Sequence, residues 1–165
     1  MITIDHHDGT TTGDDLLRFA QRARRAVKLK GRVCVLITTN REMRRLNRGF
    51  RGKDKPTDVI SFPAMDLVSG KFAGDIAISG EIARANATSL GHRPLQELEV
   101  LILHGLLHLA GYDHERDNGE MAREEARLRA KFGLPVGLIA RTEQKPASRS
   151  MKSRKPKPKA AGRKC

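Results

Sequence analysis

The chain has 165 residues, with 32 Lys and Arg against 19 Asp and Glu, a formal net charge of +13, and only 4% aromatic residues. That length suits one domain able to bury its own core. No apolar run approaches the roughly 20 residues of a spanning helix, which excludes a helical membrane protein.

The N-terminal MITIDHHDG carries acids and His where a secretion signal needs basic and then apolar residues. Ile2–Asp5 alternates as a first strand. Asp14 or Asp15 is expected to cap a helix running to about Leu29, with Leu16, Leu17, Ala20, Ala23, Ala26 and Val27 on one face. Arg32–Thr39, rich in β-branched residues, is the second strand, and Asn40 is expected to cap a helix to about Phe50 with Met43 and Leu46 inward. A polar loop, Arg51–Pro56, leads to a strand at Thr57–Phe62, a turn around Met65–Lys71 and a strand at Phe72–Ser79. Ser79 caps the next helix, which Gly91 closes, and Pro94 sits in the first turn of another. That helix, Leu95–Leu109, is apolar over most of its surface and therefore central. Asp117 starts a last amphipathic helix, ended by Gly133 and Pro135. The order predicts an α+β fold, a small mixed sheet flanked by helices with one buried helix at its centre.

Charge divides the chain. Arg141–Cys165 holds ten Lys or Arg and one acid, three Pro and almost no aliphatic residue, so residues 141–165 are expected to form a disordered basic tail after a domain of residues 1–140. Between Arg18 and Lys55 stand fourteen basic residues and two acids, whereas the rest of the first 140 residues is net acidic. Such a run is either a pair of solvated helix faces or a phosphate-binding surface. Its concentration favours the second, with Arg41, Arg44, Arg45, Arg48, Lys53 and Lys55 as candidate contacts to the phosphates of a nucleic acid. The two cysteines, Cys34 and Cys165, form no disulfide framework, which points to a cytoplasmic location.

The segment His104-Gly-Leu-Leu-His108-Leu-Ala-Gly111-Tyr-Asp-His114 is the most informative. His104 and His108 stand one helical turn apart on one face. Gly111 permits the turn that returns His114 towards them. Three imidazoles from a helix and the following loop suit one Zn²⁺, with a fourth position open to water or substrate. Two satisfied core histidines are the alternative, but clustering three in an apolar setting is costly unless something ligates them. The spacing is that of the metzincin proteases, H-E-x-x-H-x-x-G-x-x-H, with one decisive departure: Gly105 stands where their general-base Glu belongs.

His104–His114 resembles the H-G-x-L-H-L-x-G-Y-D-H signature of the YbeY endoribonucleases, and Leu46-Asn47, Arg51–Pro63 and Gly74–Ser79 resemble that family's other blocks, in the same order. The resemblance covers about residues 1–135. It implies a metal-dependent, single-strand-specific endoribonuclease that matures the 3′ end of small-subunit rRNA and takes part in ribosome quality control. It also implies contacts with the ribosome, ribosomal proteins and an assembly GTPase. His104, His108 and His114 would be the zinc ligands and Arg51 a functional residue beside the metal. A guanidinium there clamps two phosphate oxygens, which Lys cannot do. The attacking group is left open between a metal-bound hydroxide and the RNA's own 2′-OH. Two other classes stay in view: an RNA-binding assembly factor whose zinc is structural, and a peptidase that draws a carboxylate from elsewhere in the chain.

Overall fold

The computed structural model describes residues 1–7, 13–65 and 70–144. The expected disordered tail from residue 145 on, Cys165 and most of the turn expected around Met65–Lys71 lie outside the described residues. The order is β1 (Ile2–His6), α1 (Asp14–Ala26), β2 (Arg32–Thr38), α2 (Asn40–Arg51), β3 (Val59–Pro63), β4 (Phe72–Ser79), α3 (Gly80–Leu90), α4 (Pro94–Leu109), α5 (Glu120–Phe132) and α6 (Leu138–Gln144). The sheet order is β1-β2-β4-β3, with the first two pairings parallel and β3 antiparallel to β4. This is the α+β fold with a small mixed sheet that the pattern of elements predicts.

Strand alternation assigns the two faces of the sheet to different helices. Val33, Val35, Ile37, Ile76 and Ile78 project into the main core, where α1 contributes Leu16, Phe19, Ala20 and Ala23 and α4 contributes Leu98, Leu101, Ile102 and Leu106. Ten residues of α4 are buried, which its all-round apolar sequence anticipates. The opposite face presents Ala77 and Ile60 to Met43 of α2, with Leu46 and Phe62 packed beside them. The basic helix thus lies across the sheet from the histidine helix, and both end near the β3 edge.

Helix starts differ from expectation in instructive ways. Gly13, not Asp14 or Asp15, precedes α1 and makes no side-chain cap; both acids sit in the first turn, where they favour the helix dipole. The helix ends at Ala26, and Lys28 follows with φ 56°. Thr39, not Asn40, caps α2 by accepting from Glu42 N–H, while the Asn40 side chain accepts from Ser79 Oγ at 2.6 Å. Asp117 stands before α5 rather than in it, yet its carboxylate accepts from Gly119 and Met121 N–H at 2.8 Å each, satisfying the helix start from outside.

Helix α6 is absent from the expected elements and runs across residue 140. Arg141, assigned above to the tail, turns inward and donates to both oxygens of Glu97 at 2.7 and 3.0 Å. Glu97 is fully buried at the start of α4 and also meets His92 Nε2 at 2.6 Å. A bidentate guanidinium and an imidazole compensate a carboxylate that would otherwise be costly to bury.

Candidate metal centre

The three predicted histidines converge. His104 and His108 arise from the last turns of α4, and Gly111, at φ 96°, reverses the chain so that His114 closes the group. Ring centroids are 4.7 Å (His104–His108), 5.4 Å (His104–His114) and 5.3 Å (His108–His114) apart, with rings inclined by 60–73°. Their candidate ligand atoms all fall within 4.8 Å of one another.

Two features test whether these residues fit a metal. The Nε2 atoms of His104 and His108 face each other at 3.1 Å. Two nitrogens bound tetrahedrally to Zn²⁺ at about 2.0–2.1 Å stand about 3.3 Å apart, so that spacing is close to a ligating one. His114 Nδ1 is buried and has no hydrogen-bond partner among the described residues, an unmet polar atom within the cluster. Burial, reinforced by His104 and His114 alongside, pushes the His108 pKa down to about 4. At neutral pH its ring is therefore in the unprotonated form that ligates. The donor set fits a metal ion.

The carboxylate that orients this group comes from far along the chain. Glu125 on α5 is 3% exposed, and its Oε1 accepts from His104 Nδ1 at 2.9 Å, which frees Nε2 to face the other two rings. Its second oxygen accepts from Ile139 N–H of α6 at 3.2 Å. Gly137 leaves room for it, since a Cβ there would come within 2.8 Å of the carboxyl carbon. Asp113, the carboxylate within the histidine motif itself, instead accepts from Glu115 N–H at 3.1 Å. The amphipathic pattern of α5 reads Glu125 as one more helical charge; only its place on the helix's buried side singles it out.

The histidines floor one end of a cleft of about 510 Å³, walled by Thr57, Asp58 and the start of β3, the end of α2 with Phe50 and Arg51, and α6 with Leu138 and Ile139. Arg51 therefore shares the cleft with His104, His108 and His114. Among the described residues neither Arg51, Arg48 nor Arg41 has an ion-pair partner. Arg44 and Arg45 do: Arg44 binds Asp54 through two hydrogen bonds of 2.9 and 2.8 Å, and Arg45 binds Glu42. Arg41, Arg44, Arg45 and Arg48 line a second depression along α2, outside the metal cleft, and neither hollow includes the exposed Lys53 and Lys55. The structure thus brings Arg51 to the histidines and leaves the other six basic candidates outside the cleft.

Gly105 bears on the peptidase alternative. It does not line the cleft; it packs on β4, where a Cβ would stand 2.9 Å from Ile76 Cδ1 and Cγ2. A Gly105→Glu protein is expected to lose about 3 kcal/mol or more of stability through overpacking and a buried charge, without gaining peptidase activity. Thermal unfolding checks this: a variant melting with the native protein would show that the contact yields.

Comparison with known proteins agrees with the geometry. The family profile described as Endoribonuclease YbeY matches residues 2–133. A protein of that name from Koribacter versatilis is 56% identical over 155 residues, covering 94% of this chain and 99% of its own. Another, from Solibacter usitatus, is 52% identical over 142 residues, covering 86% and 94%. The solution structure of TM1509 from Thermotoga maritima superposes with a TM-score of 0.55 at 30% identity, covering 91% of this chain and 99% of that one.

Proposed function

The chain belongs to the endoribonuclease YbeY family, and on that premise we propose that it is a zinc-dependent endoribonuclease that cuts single-stranded RNA in the cleft between the histidines and Arg51. The observation that carries the proposal is the meeting of three converging imidazoles and an unpaired guanidinium in one cleft.

His104, His108 and His114 would hold the ion, His104 with its tautomer set by Glu125. When bound, the metal supplies Lewis-acid stabilisation of a phosphate oxygen and a water of lowered pKa. The chain's own residues do the rest. Arg51 neutralises the charge that builds on the non-bridging oxygens, with two parallel N–H donors suited to that geometry. The β3 wall and α6 bound the strand, and the rigid helix α4 fixes the ligands relative to Arg51. The basic run of α2, with Arg41 and Arg48 unpaired, supplies phosphate attraction along the approach. Arg44 and Arg45 join it only by exchanging Asp54 and Glu42 for RNA.

The family resemblance supports ribosomal RNA as the physiological substrate, at the small-subunit 3′ end. It likewise supports work beside the ribosome, its proteins and an assembly GTPase in the cytoplasm. No helix among the described residues is long and apolar enough to cross a membrane.

The test is cleavage of a single-stranded rRNA 3′-end fragment by zinc-loaded and by chelated protein, beside the same sequence annealed into a duplex. Cleavage confined to the loaded protein and the single strand is expected. Equal cutting of the duplex, or cutting that survives chelation, would refute it.

A further inference from the structure

Helix α2 carries its inward-facing stripe one turn too far. Met43 and Asn47 are buried and Leu46 is half-buried against the sheet, but Phe50, the next position on that side, passes the sheet edge and stands 56% exposed. Among the described residues the large exposed hydrophobic side chains are Met1, Phe50, Met65, Leu90 and Val136; Phe50 is the aromatic one, and it lines the metal cleft. Its ring is braced. Phe62 meets it edge-on, with centroids 4.6 Å apart and planes at 61°, and Phe62 in turn packs with Met43, Ile60 and Ala77.

Arg51, the residue after Phe50, lines the same cleft and has no ion-pair partner among the described residues, whereas Arg48 lies in the second depression along α2. A held aromatic surface and an unpaired guanidinium lining one metal cleft match one repeating unit: a flat base joined to a phosphate. An acidic peptide would use the charge and an aliphatic one the ring, but neither has reason to need both. Resting on the function proposed above, we propose that Phe50 is a nucleobase-stacking platform that seats one unpaired nucleotide at the mouth of the cleft. A base inside a duplex has both faces covered by its neighbours, so the same platform would select for unpaired strands.

The chain contains no Trp, so Phe50→Trp introduces its single tryptophan fluorophore at the proposed contact. Zinc-loaded Phe50→Trp protein is mixed with oligoadenylate, or with a strand of equal length made abasic throughout, and emission is followed before turnover begins. Quenching by oligoadenylate and none by the abasic strand is expected. In cleavage assays Phe50→Leu, which keeps the apolar contact with Phe62 but has no π face, is expected to raise KM about tenfold with little change in kcat, and Phe50→Trp to restore it. A Leu variant indistinguishable from the native protein, or a Trp variant that cleaves RNA without base-dependent quenching, would overturn the platform while leaving the endoribonuclease intact. Base-dependent quenching in a protein that cleaves nothing would do the reverse. Neither binding nor cleavage would overturn both.

Discussion

A His108→Ala protein is expected to fold normally, to retain no zinc after dialysis, and to cleave RNA slower by about three orders of magnitude or more. His108 is half-buried near the end of a helix whose packing is carried by Leu98, Leu101, Ile102, Leu103, Leu106 and Leu107, and Ala suits that position. Folding therefore loses little, whereas the ligand set falls from three to two. Without the bound water's lowered pKa and the Lewis acid, what remains is positioning and Arg51. Glu125→Gln should fall between the two, with zinc affinity reduced about 10- to 100-fold, because an amide in place of the carboxylate orients His104 less strongly. Metal content and single-turnover cleavage, measured on the same preparations with circular dichroism as the folding control, check both. Undiminished cleavage by metal-free His108→Ala protein would sink the metal mechanism.

The second large effect is expected at Arg51. Arg51→Lys keeps the charge but loses the two-pronged donor, and should lower kcat by about 10²–10³ with KM changed far less. Arg51→Ala should be at least as slow. Arg51 is exposed and makes no ion pair among the described residues, so neither change should move the melting temperature appreciably. If the Lys variant turned over within a few-fold of the native rate, Arg51 would be a general phosphate attractor rather than a group matched to the transition state. A matched pair, Arg44→Lys, separates the two ideas: Arg44 is committed to Asp54 and outside the cleft, so its rate should hardly change.

The parts of this site that the sequence displays are those whose geometry is local. His104, His108 and His114 lie within eleven residues, so one helical turn and one reversal at Gly111 suffice to gather them. The hydrophobic surface of α4 and the Ser79 cap of α3 are legible for the same reason; Ser79 accepts from Ile82 N–H at 3.0 Å as its spacing predicts. Long-range choices are less visible. Glu125 reaches His104 across 21 positions; its spacing from Met121 and Leu128 puts it on the buried side of α5, but that pattern does not say which group it meets there. At the start of α2 two adjacent residues are chemically competent caps, and the choice of Thr39 depends on Ser79 engaging Asn40 from another strand. Counting charges also overstates the basic surface, because Arg44 and Arg45 spend their guanidiniums on Asp54 and Glu42, acids that the net balance treats as merely subtracting.

The ion pair between Arg141 and Glu97 fixes where this protein can be cut. Composition changes at residue 140, and a fragment trimmed there would look generous, retaining all three histidines of the cluster and all of α5. It would also strand Glu97, wholly enclosed, with His92 and the Asn86 amide left against its charge but no guanidinium, a defect of about 3–5 kcal/mol. The same cut would shorten the helix that holds Leu138 and Ile139 against the cleft and presents its backbone to Glu125. A minimal active fragment therefore ends beyond Arg141, and expression of anything shorter would report on a broken clamp rather than on the worth of the basic extension.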